Sequence, residues 1–152
     1  MRIDEIIGED TVILGMKASK RNDAIRQLSK VVAPKTVSMG PDELAKGLIL
    51  REEKGPSTAT KSGFAITHCR TDAVDGIFGG AARLLKPVDF REPGGNLTRL
   101  VFLFVDSKER NEDYLRLLSR ITRILSKEKV REKLLSAGTP KEFVNILAEH
   151  DI

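Results

Sequence analysis

Apolar and polar positions alternate with two different periods along this chain, and the switches between them mark the elements. Residues 12 to 17 (Val-Ile-Leu-Gly-Met-Lys) are short and β-branched and predict a strand, with Ser19 following at an N-cap position. Ile25, Leu28 and Val32 then recur at spacings of three and four, one face of a helix that Pro34 should end. Pro41 suits the first turn of a second helix, with Leu44 and Leu48 one turn apart; it should run to about Glu53, before Gly55 and Pro56 break it. After a loop of small residues, 57 to 63, the stretch Phe64-Ala65-Ile66-Thr67-His68 alternates like a half-buried strand.

Residues 70 to 80 carry no pattern and are expected to form a long loop. Residues 81 to 90 predict a strand interrupted at Pro87, followed by a turn at Glu92-Pro93-Gly94-Gly95-Asn96. The run Leu100 to Val105 is apolar on both faces and predicts a central strand. Everything beyond is helical. Tyr114, Leu118, Ile121 and Leu125 form one stripe, and Val130, Leu134 and Leu135 the next. Thr139-Pro140-Lys141-Glu142 has the composition of a capping box, starting a last helix with Phe143, Ile146 and Leu147 inward. Strands mixed with helices, without repeat or linker, predict an α/β fold: a mixed β-sheet flanked by helices, in one domain spanning residues 1–152.

Composition narrows the function. With 40% apolar and 32% charged residues the chain has the balance of a folded soluble protein. Its single cysteine, Cys69, cannot close an internal disulfide or build a cysteine-rich zinc site, and the first residues show neither a signal peptide nor a membrane helix. A cytoplasmic location without membrane insertion is expected. The net charge of +4 invites a nucleic-acid reading, but the signs are interleaved, one tyrosine and no tryptophan are available for stacking, and no helix has a one-sided basic run. No nucleic-acid partner is expected.

Candidate chemistry centres on histidine. His150 lies third from the C-terminus, where fraying is expected, so a site would use His68. By spacing alone His68 is a partly buried strand histidine with one hydrogen bond. Its context differs: Arg51-Glu52-Glu53-Lys54-Gly55-Pro56-Ser57-Thr58 followed by Gly63-Phe64-Ala65-Ile66-Thr67-His68 resembles the signature of the enzyme IIA proteins of the bacterial sugar phosphotransferase system, mannitol/fructose/nitrogen-regulatory class. That class has Arg-Glu-Glu, then Gly-Ser-Thr-Gly-Ile-Gly, then a strand ending Ile-Pro-His-Gly. Here Ala59, Thr60 and Lys61 stand at the Gly-Ile-Gly positions, Thr67 at the proline, Cys69 at the glycine, and Tyr114 where the family commonly has a second histidine. The likeness covers essentially the whole chain and implies a mannitol-type enzyme IIA-like sandwich.

The resemblance implies a phosphocarrier in which His68 accepts a phosphoryl group from a histidine-phosphocarrier protein. It then passes the group to a cysteine of a sugar-permease IIB subunit, or the phosphorylated state regulates target proteins. Such chemistry needs a neutral imidazole and fixed donors for three oxygens, with no metal and no cofactor. Arg51 offers a planar fork for two oxygens, and Ser57 and Thr58 offer hydroxyls; the plainer readings are a solvated helix charge and turn residues. Lys61 is expected to point to water and Cys69 to be a small packed side chain. Tyr114 is either core packing beside Leu118 or a phenol donor to the phosphoryl group. The alternative function is a catalytically silent, IIA-like regulatory protein-interaction module.

Overall fold

The computed structural model describes residues 1–90, 97–109 and 111–151. Two short 3-10 turns, Ile3–Glu5 and Glu9–Thr11, lead into strand β1, Val12–Met16. Helices α1 (Arg21–Thr36) and α2 (Pro41–Lys54) follow, then strands β2 (Phe64–Thr71), β3 (Ile77–Asp89) and β4 (Leu97–Ser107). Helices α3 (Asn111–Leu125), α4 (Glu128–Ser136) and α5 (Pro140–Glu149) complete the chain. The sheet runs β1-β3-β4-β2: β1 is parallel to β3, β2 parallel to β4, and β3 antiparallel to β4. A mixed sheet flanked by helices is thus the observed architecture.

Strand β4 explains why both faces need helices. Its successive side chains point to opposite sides. Leu100, Phe102 and Phe104 enter a core with Phe64, Ile66, Tyr114, Ile121, Leu134 and Phe143, under α3, α4 and α5. Val101, Leu103 and Val105 enter a second core with Ile25, Leu28, Leu44 and Leu48, under α1 and α2.

Several expectations need correction. Phe64 to Thr67 are all buried rather than half-buried in alternation, because helices cover both faces of β2 as well. The long loop expected over 70–80 is only the short connection 72–76, since β2 continues to Thr71 and β3 begins at Ile77. Its strand residues look patternless because close approach, not side-chain burial, selects them: a Cβ on Gly79 would lie 2.7 Å from the Phe104 ring, and one on Gly80 2.7 Å from the Thr11 carbonyl and from Val32. The interruption expected at Pro87 is a break in pairing: β3 runs on to Asp89, but its register with β4 shifts between Arg83 and Val88, where a missing N–H is tolerated. The turn expected at 92–96 lies outside the described residues.

Helix ends differ in detail. The N-cap of α1 is Lys20, not Ser19, whose hydroxyl instead donates to Asp23 at 2.7 Å. Pro34 sits inside the last turn of α1, which runs to Thr36. At α5 the Thr139 hydroxyl accepts from the Glu142 N–H at 3.1 Å as expected, whereas the Glu142 carboxylate accepts from Gly138, one residue upstream of the N-cap. Nor does the C-terminal segment fray at Asp151: its carboxylate accepts from the Ile3 N–H at 2.7 Å and from Arg120, tying the two ends of the described chain together.

Candidate functional site

His68 lies on β2, opposite Phe104 of β4 in the parallel register, on the face that carries Phe64 and Ile66 toward α3. Residues 58 to 60 run antiparallel along the outer edge of β2. The Ile66 N–H donates to the Thr58 carbonyl at 3.3 Å, the Thr60 N–H donates to the Phe64 carbonyl at 2.9 Å, and Ala59 bridges Ala65. This covers an edge that would otherwise be open and sets the small-residue loop beside the histidine.

The result is a cavity of about 360 Å³ lined by Arg51, Pro56, Ser57, Thr58, Thr60, Phe64, Ile66, His68, Leu118 and Thr122. Four of the expected site residues, His68, Arg51, Ser57 and Thr58, therefore meet in one place. Lys61 is exposed, as expected. Tyr114 is not in the lining: it stands behind His68, its ring edge-on to the imidazole with centroids 5.9 Å apart and planes at 63°. Its hydroxyl is buried and makes no hydrogen bond among the described residues. Burial is the main influence raising the phenol pKa, with Cys69 and Asp106 adding to it. The geometry places Tyr114 in the core.

Which imidazole nitrogen is available follows from one contact. His68 Nδ1 lies 2.8 Å from the Ile66 carbonyl, an acceptor only, so Nδ1 carries the proton and Nε2 keeps its lone pair. Burial, the largest influence, pushes the imidazole pKa below its ordinary value, and the Arg51 charge pushes the same way; the bond to Ile66 and the Glu52 carboxylate oppose them. At neutral pH the ring is a neutral base.

Arg51 closes the other side of the cavity from the last turn of α2. Its Nη1 donates to the Pro56 carbonyl at 3.5 Å, and the guanidinium lies so close to Gly55 that a Cβ there would collide with it. Gly55 thus ends the helix and also makes room for the arginine. The Ser57 Oγ accepts from the Ala59 N–H at 3.1 Å, which leaves its own proton to donate.

Thr58 behaves differently from expectation. Its hydroxyl donates to Glu52, and its N–H donates to the other oxygen of the same carboxylate at 3.4 Å, so it anchors the loop and has no free hydroxyl proton for a ligand. Glu52, only 4% exposed, was not singled out by sequence reasoning; a glutamate between Arg51 and Glu53 looks like a solvated charge until the fold buries it. Leu118, expected on the inward stripe of α3, instead lines the cavity together with Thr122. The buried stripe of α3 is Tyr114, Leu117, Ile121, Ile124 and Leu125, leaving Leu118 half-buried at the cavity. Cys69 packs toward α2, with Sγ 3.7 Å from where a Gly47 Cβ would lie, and burial pushes its thiol up to about 12, so it is no nucleophile at neutral pH.

A strand histidine with Nδ1 tethered and Nε2 unbonded among the described residues thus stands beside an arginine and a hydroxyl, groups that phosphohistidine chemistry would use. Comparison with known proteins agrees. A sequence profile for the family described as "Phosphoenolpyruvate-dependent sugar phosphotransferase system, EIIA 2" matches residues 5–150. The nitrogen regulatory protein of Bradyrhizobium diazoefficiens is 30% identical over 97% of this chain and 95% of its own length. The fructose-specific EIIABC component of Bacillus subtilis is 27% identical over 99% of this chain, which spans only 24% of that protein. Among solved structures, the nitrogen regulatory protein IIA-Ntr from Neisseria meningitidis superposes with a TM-score of 0.89 at 26% identity, covering 95% of this chain and 98% of that one. The chain belongs to the EIIA type 2 family of the sugar phosphotransferase system.

Proposed function

We propose that the chain works as a phosphocarrier of this system with His68 as its acceptor. The observation that carries this reading is the bond from His68 Nδ1 to the Ile66 carbonyl, which leaves Nε2 as the nucleophilic nitrogen of a ring lining the Arg51 cavity. In the transfer, the Nε2 lone pair forms a bond to phosphorus while the bond from phosphorus to the donor nitrogen breaks and its electron pair returns to the donor. Positive charge then builds on the His68 ring, and the Ile66 carbonyl, already accepting the Nδ1 proton, stabilises it. Arg51 spans two of the three phosphoryl oxygens and Ser57 donates to one.

The donor in this reading is a histidine-phosphocarrier protein, the acceptor a IIB permease subunit or a regulated target protein, and the compartment the cytoplasm. No helix among the described residues is long and apolar enough to cross a membrane. The similarity to both a nitrogen regulatory protein and a fructose-specific component supports either destination. The test is incubation with phosphoenolpyruvate, the first enzyme of the system and its histidine-phosphocarrier protein. An acid-labile, alkali-stable phosphate on the chain is expected; an unlabelled chain with an authentic donor would instead favour the silent interaction module.

A further inference from the structure

We propose that Tyr114 and Arg70 are positioning residues for His68, Tyr114 acting through its ring and not its hydroxyl, and Arg70 holding that ring in place. The proposal rests on His68 being the phosphoryl acceptor. His68 and Arg70 are two residues apart on β2 and so share a face, with Arg70 opposite Asp106 in the register. The Arg70 guanidinium carbon lies 5.2 Å from the centroid of the Tyr114 ring, within cation-π range. It is tethered at the end of β4: Nη2 lies 3.8 Å from the buried Asp106 carboxylate and 3.4 Å from the carbonyls of both Ser107 and Lys108. The Tyr114 ring also meets the imidazole, edge to face.

This arrangement controls which nitrogen reacts. An imidazole that turns over about its Cβ–Cγ bond removes Nδ1 from the Ile66 carbonyl and puts Cε1 where Nε2 stood, so the lone pair no longer points the same way into the cavity. A ring wedged against it, itself held by a tethered guanidinium, opposes that rotation. The hydroxyl contributes nothing, since it is buried, unbonded among the described residues and absent from the cavity lining.

The experiment follows the His68 ring nitrogens by long-range ¹H–¹⁵N NMR of the unphosphorylated chain, and separately the rate of phosphoryl acceptance from a phosphorylated histidine-phosphocarrier protein. Wild type and Tyr114→Phe are expected to show one Nδ1-protonated tautomer and rates within about twofold of each other, the contact being unchanged. Tyr114→Leu and Arg70→Met are expected to show averaged tautomers and acceptance slowed about three- to tenfold, with partial recovery in Arg70→Lys. Should Tyr114→Leu fail to fold, Arg70→Met carries the comparison. Two results would overturn the proposal: Tyr114→Phe as slow as Arg70→Met, which would make the hydroxyl the working group, or Arg70→Met with wild-type tautomer and rate. If no variant, wild type included, takes label, the phosphocarrier reading fails, while the tautomer comparison still decides whether the ring is held.

Discussion

Replacing Glu52 by Gln is the sharpest test of how the loop beside His68 is held. The carboxylate, 4% exposed, accepts both the N–H and the hydroxyl of Thr58. Glutamine keeps the volume but turns one acceptor into an NH₂, which then faces a Thr58 donor. A hydrogen bond to a charged group is worth about 1.5–3 kcal/mol, and relief from burying a carboxylate offsets part of its loss, for a net destabilisation of about 1–2 kcal/mol. In a chain of this size that lowers Tm by roughly 2–8 °C. Thr58 also supplies the carbonyl that meets the Ile66 N–H, so its release displaces Ser57 relative to His68, and phosphoryl acceptance should fall about tenfold or more. Thermal melts and transfer rates, with Thr58→Val as a partner in a double-mutant cycle, measure both effects. A Glu52→Gln protein that melts and transfers like wild type would refute the anchoring role.

Other outcomes follow from the same geometry. Arg51→Lys keeps the charge but loses the planar fork, and acceptance should slow about tenfold; an unchanged rate would remove Arg51 from phosphoryl binding. Because the His68 pKa is lowered, the neutral ring persists into more acid solution than a free histidine does, so the decline of acceptance on acidification should have its midpoint below about pH 6.5. An NMR titration of His68 with a midpoint at or above that value would contradict this. Gly80→Ala places a methyl 2.7 Å from the Thr11 carbonyl and Val32, so it should destabilise by about 1–3 kcal/mol in urea or thermal unfolding, and a neutral result would mean that this approach relaxes freely.

Where side-chain periodicity builds an element, the sequence foretold it. β4 read as apolar on both faces because it divides two cores, and α5 read from its cap and its Phe143, Ile146, Leu147 stripe. The end of β2 and the start of β3 were illegible, since Arg70, Thr71, Gly79 and Gly80 owe their strand conformation to pairing with β4 and to close packing, which leave no alternating signature. That His68, Arg51 and Ser57 line one cavity was foreseeable only through the resemblance to a known signature, since spacing alone gave a strand histidine, a solvated arginine and a turn serine. Glu52 was not, because a buried glutamate and a solvated one are identical in sequence. Tyr114 was half legible: the resemblance set it near His68 and its apolar stripe allowed core packing, but only the structure shows that its hydroxyl ends in the core.

The central claim is that Nε2 of His68 takes the phosphoryl group, and the ring spectrum of the phosphorylated chain tests it most directly. Long-range ¹H–¹⁵N and ³¹P NMR of wild-type protein charged from phosphoenolpyruvate should show one phosphohistidine, substituted at Nε2 of His68 with Nδ1 still protonated. It should be absent from His68→Ala and intact in His150→Ala. Phosphate on Nδ1, or on His150, would contradict the account.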